Sequence, residues 1–416
     1  MKKVIVAHPG KQHSFQTAIA LKEGGMLYQY ITTLYDKKYS LLYFLKLILR
    51  GKALRKALSR KANELDDNDV TLFCSLGGLC LIVLARLNLN RKYYDWLANK
   101  VHKAFAKKVI KYALKHNVDA VIMYDSNVYD AFQTLKKRNS HIKCVLDTSI
   151  AARSYMKRIY LQDIKLYPGS LLQEEQCLLW NHQNLVRYDR EFLDADYFLV
   201  GSDFVKQSIL PLVKNTSNIF IIPYGVNLRQ FKNVYRNFEE RPLQLLFVGG
   251  ISRRKGIHHL LNVVSRYSEK EVFLNLVGSY NPNDLLYKEY HAKSNICFRG
   301  FVTRDQIAQI YSLSHLFVLP SLAEGMAMVG LEALASGLPI LCTYNTGLSS
   351  IVKDGYNGFC IPVSDENALQ SKIDWFLSHK KEMCLMSVNA EKSADGYTWE
   401  NYRKKVVQIL RMILDN

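Results

Sequence analysis

The sequence predicts an α/β protein with two doubly wound parallel-sheet domains. At 416 residues the chain exceeds the usual size of one domain and fits two of roughly 200 residues each. Short apolar runs alternate with longer periodic segments along both halves, which is the βαβ rhythm of a parallel sheet. Since 49% of the residues are apolar and 12% are aromatic, both domains have enough material for a packed core.

The first predicted domain spans residues 1–226. VIVA at residues 4–7 predicts a buried strand, followed by a Pro-Gly turn and a helix that Ser14 caps and Gly24-Gly25 ends. Further strand-like runs lie at residues 70–74, 119–124, 143–147, 196–201 and 218–222. The polar stretch from residue 227 to Pro242 lacks periodicity, so we place the domain junction there.

The second predicted domain spans residues 243–399. Its strands are predicted in LLFV, FLNLV, residues 295–298, HLFVLP and PILC, with helices from Lys255, from Thr303 and around 328–336. Thr303 and Gln306 form a capping-box pattern, and Gly337 before Pro339 marks a helix end. An amphipathic helix at about 400–416 is expected to pack back on the first domain.

The net charge of +19 predicts partners rich in phosphate. Nucleotides, anionic lipid surfaces and nucleic acid all meet this description, and charge alone does not choose among them. The chain has no RNA-binding aromatic signature and no DNA-reading motif, so we expect no nucleic acid partner.

The cysteines and the N-terminus predict a protein of the cytoplasmic side. The eight cysteines contain no Cys-x-x-Cys pair and several lie in apolar runs, so we interpret them as reduced core residues. MKKVIVAHPG has too short an apolar stretch for a signal peptide, and no later run has the length of a spanning helix.

Residues 37–61 carry nine Lys or Arg and no Asp or Glu, interleaved with LLYFLKLIL. One interpretation is contact with an anionic membrane. The other is a solvated helix whose apolar side packs on the first domain. The charge asymmetry favours the membrane, which makes peripheral association with its inner face an expectation.

The densest functional signal is SLAEGMAMVGLEALASGLPIL at residues 321–341. Glu324 follows the strand HLFVLP, and Glu332 lies on the next helix. Ligands of parallel sheets bind at the carboxyl ends of strands, where the N–H groups of Met326, Ala327 and Met328 would hold a diphosphate. Carboxylates accept hydrogen bonds from hydroxyls, so Glu324 and Glu332 would hold two hydroxylated rings at either end of the phosphates. That arrangement suits a nucleotide sugar, with Glu324 beside the reacting sugar and Glu332 near the ribose. The alternative for each carboxylate is a helix-dipole or capping role.

A second signal is LLFVGGISRRKGIHHLL at residues 245–261, where a strand and a Gly-Gly turn precede three cations. A lysine at a helix start opposes the helix dipole by about 0.3 to 1 kcal/mol unless an anion shares the site. This conflict suggests a phosphate held by Lys255 first and Arg253 second, with at least one cation of the triplet as solvated surface.

These motifs resemble the family 4 glycosyltransferases of the GT-B fold, in which two Rossmann-like domains face a central cleft. The resemblance rests on the Glu-x7-Glu stretch, VGG…RRKG, FRGFVTRDQIAQIY, HLFVLPS and GLSSIVKDGYNGFCIPVSDENAL, which cover nearly all of residues 243–378. ADYFLVGSDFVKQSI at residues 195–209 and IIPYGVNLRQF at residues 221–231 resemble the family more weakly.

The resemblance implies a retaining transfer from a nucleotide diphosphate sugar, with no metal ion and no cofactor. Lys255 matches the family lysine, and Glu324 and Lys255 are the catalytic candidates. Gly250 stands where the family often has arginine, so Arg253 would substitute. Gly10 resembles the family's N-terminal glycine loop, whereas Phe301 and Val302 resemble the segment that reads the base.

Two departures from the family concern the reacting sugar. Met326-Ala327 replaces a frequent Phe-Gly, and the histidine that often follows the strand at 143–147 is missing from LDTSIAARSY. Arg153 is a candidate for nearby space, and His8 and His13 are candidate replacements that more often have structural roles.

The basic apolar segment and the resemblance together predict a lipid-linked glycan acceptor, as in bacterial capsule or O-antigen synthesis. A UDP- or GDP-sugar is the expected donor. The alternative function is a catalytically inactive GT-B scaffold at the membrane surface, which the missing histidine and residues 37–61 suggest.

Overall fold

The computed structural model contains two parallel β-sheets, which confirms the predicted fold class. It describes residues 2–86, 91–138, 141–168, 182–232, 234, 236–239 and 241–415. Each sheet has helices between successive strands and the alternating order of a doubly wound fold.

The first sheet has seven strands in the order β3-β2-β1-β4-β5-β6-β7. They are β1 Val4–Ala7, β2 Leu27–Thr32, β3 Val70–Leu72, β4 Ala120–Tyr124, β5 Lys143–Thr148, β6 Tyr197–Val200 and β7 Ile219–Ile221. β1 and β4 are fully buried, as expected of central strands covered on both faces. The sequence analysis omitted β2, which is only partly buried at its start.

The helices of the first domain lie between these strands. They are Ser14–Glu23, Leu41–Leu45, Gly51–Leu58, Ser75–Arg86, Arg91–His116, Ala131–Arg138, Arg153–Leu166, His182–Asp194 and Asp203–Ile209. Ser14 does not cap the first helix as predicted: its hydroxyl is hydrogen-bonded to the Tyr30 hydroxyl (3.0 Å) inside the core. Gly24 follows the helix as its C-cap.

The second sheet has six strands in the order β10-β9-β8-β11-β12-β13. They are β8 Leu243–Val248, β9 Val272–Val277, β10 Ile296–Gly300, β11 Leu316–Leu319, β12 Ile340–Thr343 and β13 Gly358–Ile361. The first five were predicted, whereas β13, at GFCI, was not. β8 pairs with β11, so the loops that follow these two strands meet at the carboxyl edge of the sheet.

The helices of the second domain are Ile257–Val264, Leu285–Tyr290, Arg304–Ser312, Met328–Ala335, Glu366–Ser378, Lys380–Ala394 and Trp399–Asp415. The capping box of Thr303 and Gln306 is confirmed. The helix predicted from Lys255 begins later, because Arg253–Lys255 forms one 3-10 turn and Gly256, with φ 66°, precedes the helix. Lys255 therefore does not oppose that helix dipole as predicted.

The helix Trp399–Asp415 lies against the helix Ser14–Glu23 of the first domain. Tyr402 and Thr17 share a buried hydrogen bond of 2.9 Å, and Arg403 pairs with Glu23 at 3.0 Å. Val407 packs so close to Gly24 that a Cβ there would be 3.0 Å from its methyl group. The end of the chain thus spans from the second domain to the first.

Residues 37–61 form two short helices, Leu41–Leu45 and Gly51–Leu58, between β2 and β3. Leu42 and Ala57 are buried, but the other large apolar side chains are not all packed. Ile48 is 73% exposed, Leu47 67% and Phe44 54%. The packed-helix interpretation therefore accounts for only part of this segment.

In the described part of the chain, no helix has the length and apolar character needed to cross a membrane. Among the described cysteines, Cys144, Cys342 and Cys360 are buried as expected, whereas Cys80 and Cys384 are exposed, so the core interpretation is wrong for these two. Cys177 lies outside the described residues.

Candidate active site

Glu324 and the turn Arg253–Lys255 meet at the carboxyl edge of the second sheet. Glu324 follows β11, and the turn follows the neighbouring strand β8. The Lys255 ammonium lies 2.5 Å from Glu324 Oε2, and the Arg254 guanidinium donates to the same oxygen. Arg254 also donates to the Ala323 carbonyl at 3.2 Å. The structure thus joins the two strongest sequence signals in one ion cluster.

Glu324 is ionised in this cluster because its two cations outweigh its burial. Burial raises the pKa of the Glu324 carboxyl, but Lys255 and then Arg254 lower it by more, so that the pKa is about 2. Burial lowers the pKa of Lys255, and Glu324 opposes this effect. The cluster thus joins two cations to one carboxylate. An anionic ligand is the complement of such a site.

The loop after Glu324 lies tightly against the first domain. A Cβ at Gly325 would be 2.0 Å from the Ser149 carbonyl oxygen, so only glycine allows this approach. Met326 and Ala327 are buried, whereas Met328 is 39% exposed. No side chain caps the helix that begins at Met328, which leaves its amide end without that partner.

The other predicted donor-binding residues also follow strands of the second sheet. Gly250 follows β8, and Phe301, 82% exposed, and Val302 follow β10. Glu332 lies on the helix after β11 and accepts a hydrogen bond from the Tyr311 hydroxyl at 3.2 Å. These residues share one edge of the sheet, as the carboxyl ends of parallel strands must.

Gly10 is the one predicted donor-binding residue of the first domain. It follows β1, and its backbone N–H donates to His8 Nδ1 at 2.9 Å. Burial lowers the pKa of His8 to about 4. His8 is therefore a neutral imidazole that fixes the loop.

Arg253 faces away from the Glu324 cluster. Its guanidinium is buried, with Nε 2.8 Å from Asp163 Oδ2, and it donates to the Tyr167 carbonyl. Arg254, which the sequence analysis passed over, contacts Glu324 instead. A 3-10 turn has three residues per turn, so adjacent side chains project about 120° apart and face different neighbours.

Two cavities lie between the sheets and are lined by both domains. One, of about 660 Å³, includes Arg153, Arg187 and Tyr129 from the first domain and Ser252 and Arg254 from the second. The other, of about 700 Å³, includes Lys11 and His13 on one side and Met326 and Met328 on the other. Gln12 and Ser149 line both, so the two cavities adjoin.

A buried His13–Asp147 pair, which the sequence analysis missed, lies beside the larger cavity. His13 Nε2 is 3.0 Å from both oxygens of Asp147, and its ring packs on Tyr224 with centroids 4.2 Å apart. Burial raises the pKa of Asp147, and His13 opposes this. An acidic residue ending the apolar strand β5 was the available signal, but its partner lies 134 positions away.

Arg153 lines the smaller cavity. Its Nη2 atom is 3.3 Å from the Ser126 hydroxyl and 3.7 Å from Asp125. Arg187 lies in the same wall, stacked over Tyr129 and Tyr188 at 4.2 Å from each ring centroid. Cationic and aromatic groups thus form the first domain's side of the cleft.

Relatives of known sequence match part of the chain. A glycosyltransferase of Methanocaldococcus jannaschii is 27% identical over 41% of this chain and 45% of its own length. D-inositol 3-phosphate glycosyltransferase of Corynebacterium urealyticum is 27% identical over 40% of this chain and 42% of its own. The chain thus spans less than half the length of each relative.

Solved structures match the whole chain. Sucrose-phosphate synthase from Thermosynechococcus elongatus has a TM-score of 0.68 at 17% identity, with 100% of both chains covered. An Anabaena protein in complex with UDP-glucose has a TM-score of 0.63 at 14% identity, covering 99% of this chain and 100% of its own. A lipopolysaccharide outer core galactosyltransferase gives the same values. These likenesses show the GT-B fold.

The family match covers the cluster at the carboxyl edge of the second sheet. Residues 229–393, which include Glu324, Glu332 and the turn Arg253–Lys255, match the model of the glycosyl transferases group 1 family. The two facing sheets have the fold of GT-B glycosyltransferases. The region that matches the group 1 glycosyltransferases is thus the one in which the sequence motifs predicted a glycosyltransferase.

Proposed function

We propose that the chain is a retaining glycosyltransferase that transfers a sugar from a UDP- or GDP-sugar to a hydroxyl of a lipid-linked glycan. The observation that carries the proposal is the ion cluster of Glu324, Lys255 and Arg254 at the cleft edge of the second sheet. The match of residues 229–393 to the family and the neighbour in complex with UDP-glucose support it.

The donor phosphates match the charge of the cluster. Cleavage of the anomeric bond places negative charge on the leaving diphosphate, and fixed cations in a water-poor cleft stabilise such charge. Lys255 and Arg254 are fixed by Glu324 before the donor arrives, so little reorganisation is needed. They supply the positive charge that a metal ion supplies elsewhere, so the proposal requires neither metal nor cofactor.

Retention follows from attack on the same face that the phosphate leaves. The acceptor oxygen forms a bond to the anomeric carbon as the bond from that carbon to the phosphate oxygen breaks. The departing phosphate oxygen takes the hydroxyl proton, so charge and atoms balance without an enzyme base. Glu324 accepts hydrogen bonds from the transferred sugar, and Glu332 accepts from the ribose.

The acceptor is assigned to the first domain because its cleft wall adjoins the basic segment 37–61. This segment combines exposed cations, such as Arg55 and Lys56, with the exposed apolar side chains of Phe44, Leu47 and Ile48. That combination favours peripheral contact with an anionic membrane. Lys61 at its end also lines the larger cavity. A lipid-linked glycan, as in cell-surface polysaccharide synthesis, fits this arrangement.

The test begins with thermal shift of the purified chain against UDP- and GDP-sugars, since a ligand that binds the folded state raises its melting temperature. The stabilising donor is then supplied with lipid-linked acceptors, and NMR compares the anomeric configuration of donor and product. Retention is expected, and inversion contradicts the mechanism.

Glu324→Gln should abolish transfer, whereas Glu382→Gln, which changes an exposed carboxylate of the same domain, should not. If the folded wild type neither binds nor hydrolyses the donor and transfers no sugar, the inactive scaffold is favoured instead.

A further inference from the structure

A second charged cluster lies where helix Arg153–Leu166 of the first domain meets the second domain. At its centre is Asp163, whose side chain is completely buried. Its oxygens accept hydrogen bonds from four groups of the second domain, namely Arg253 Nε at 2.8 Å, His258 Nε2 at 3.0 Å, His259 Nε2 at 2.7 Å and the Ser364 hydroxyl at 2.6 Å. One carboxylate thus ties three segments of the second domain to one helix of the first.

This arrangement holds Asp163 as an anion. Burial raises the pKa of Asp163. Interactions with its donors, first the hydrogen bonds from His258 and His259, lower the pKa by more, so it lies well below its usual range. His259 is fixed from its other side by Glu366, with Nδ1 3.2 Å from Oε1. A buried carboxylate with this many donors is rigid, because every displacement leaves unpaired polar groups.

The cluster is better explained by ion pairs than by a metal ion. Asp163, His258 and His259 each offer a ligand atom, and these atoms lie within 4.8 Å of one another. However, Arg253 donates to the same Oδ2 atom that His258 contacts. A bound cation would face this fixed guanidinium in a buried site, where like charges repel strongly.

Asp163 links two parts of the proposed active site. Its own helix carries Arg153, Met156 and Tyr160 into the wall of the smaller cavity. Its partner Arg253 begins the turn that carries Arg254 and Lys255 to Glu324. A shift of either element must therefore displace the other or break the buried ion pair.

We propose that Asp163 is a positioning residue that holds the cationic turn Arg253–Lys255 in its phosphate-binding geometry and couples it to the first domain's cleft helix. The inference rests on the proposed function, since it assumes that this turn binds the donor phosphates. Asp163 itself touches neither donor nor acceptor. Its removal should therefore weaken donor binding through Arg253 rather than by direct loss of a contact.

The test is calorimetric titration of the full chain with UDP and with GDP. Asp163→Asn keeps the size of the side chain but removes its charge, and should weaken nucleotide binding by about fivefold or more, the lower range of coupling between sites. Arg253→Ala in the Asp163→Asn background should add little, because both changes release the same turn. Asp163→Glu should restore part of the affinity.

The control is Glu23→Gln, which breaks the 3.0 Å ion pair between Glu23 and Arg403. This pair also joins the first domain to a distant segment, but it lies outside the cleft, so nucleotide affinity should stay at the wild-type value. If Asp163→Asn does not fold, His258→Gln removes one donor of four and should give a smaller loss of affinity.

Three outcomes separate the possibilities. Wild-type nucleotide affinity in folded Asp163→Asn or His258→Gln overturns the positioning role while the proposed function stands. An equal loss in Glu23→Gln also overturns it, because the effect would then reflect general stability. If the wild-type chain binds neither UDP nor GDP, the proposed function fails first, and the coupling inference fails with it.

Discussion

The two domains share one strand order but differ in the charges at the ends of their strands. In the second domain, Glu324 is shared by two cations, Lys255 and Arg254, which lower its pKa. In the first, Asp147 contacts His13 and Glu191 contacts Arg187, and burial raises the pKa of both carboxyl groups. The fold thus provides two similar edges, and the side chains decide which one suits an anion.

The connections also differ between the domains. The first domain inserts the basic segment 37–61 between β2 and β3, and its helix Arg91–His116 contributes Tyr94 and His102 to the cleft wall. In the second, Gly256 and Gly325 allow close backbone approach around the ion cluster. The second domain's ion cluster is thus enclosed by close backbone contacts, whereas the first domain adds a long basic insertion and a long helix to the cleft wall.

The largest expected effect comes from removal of the donor-side cation. Lys255→Ala should lower kcat by about 100- to 1,000-fold, the range for loss of one group that stabilises transition-state charge. Steady-state kinetics with the donor identified by thermal shift measure this effect. Lys353→Ala, which removes an exposed lysine of the same domain, is the matched control and should leave kcat unchanged. Equal kcat in both variants would contradict the assignment of the donor side.

The second domain's site was largely predictable from sequence because its residues follow strands that the sequence pattern identifies. Glu324 and Glu332 lie on consecutive elements, and Lys255 follows the strand next to theirs. Strand order then brings these loops together without further information. The assignment of Arg253 over Arg254 depended on the orientation of one 3-10 turn, which a sequence pattern does not fix.

The first domain's cleft was not predictable because its partners are distant in sequence. Asp147 meets His13 across 134 positions, and Asp163 meets Arg253 across 90. Tertiary packing brings such residues together, so no local sequence pattern predicts that they are in contact. β2 was missed for another reason: LYQYIT mixes polar and apolar residues and is only partly buried at its start, so its apolar pattern is weak.

A smaller effect is expected at the first domain's basic segment. Leu47→Ser with Ile48→Ser should weaken binding to vesicles of phosphatidylcholine and phosphatidylglycerol by about tenfold or more, because burial of one such side chain is worth about 1.5 to 3 kcal/mol. Vesicle flotation measures the bound fraction, and high salt should lower it as well. Both side chains are exposed in the structure, so the change should leave folding intact.

Leu385→Ser is the control for that experiment, because Leu385 is 67% exposed but lies in the second domain. It should leave vesicle binding unchanged. Equal binding of wild type and the double variant, or equal loss in the control, would remove the distinction between a membrane-facing first domain and a donor-binding second domain.

The smallest effect distinguishes the two domains by pH. Burial raises the pKa of Glu191 from its ordinary 4.5 to about 8, with Arg187 opposing. The folded state then binds more protons than the unfolded state across this interval, so stability should fall as pH rises from about 4.5 to about 8. Glu324 behaves in the opposite way: its pKa is lowered to about 2, so its contribution should be lost as pH falls below 4.5.

Urea unfolding at a series of pH values separates these two contributions. Glu191→Gln should flatten the decline on the alkaline side, because glutamine does not ionise when buried. Glu324→Gln should flatten only the acid side, since it removes the carboxylate that Lys255 and Arg254 hold ionised. Glu191 accepts hydrogen bonds from two backbone groups, Ser126 N–H at 2.7 Å and Tyr129 N–H at 3.1 Å, and pairs with Arg187. If Glu191→Gln left the alkaline decline unchanged, these three donors would be strong enough to keep the wild-type Glu191 ionised despite its burial. The first domain's carboxylate would then resemble Glu324, and this electrostatic contrast between the domains would disappear.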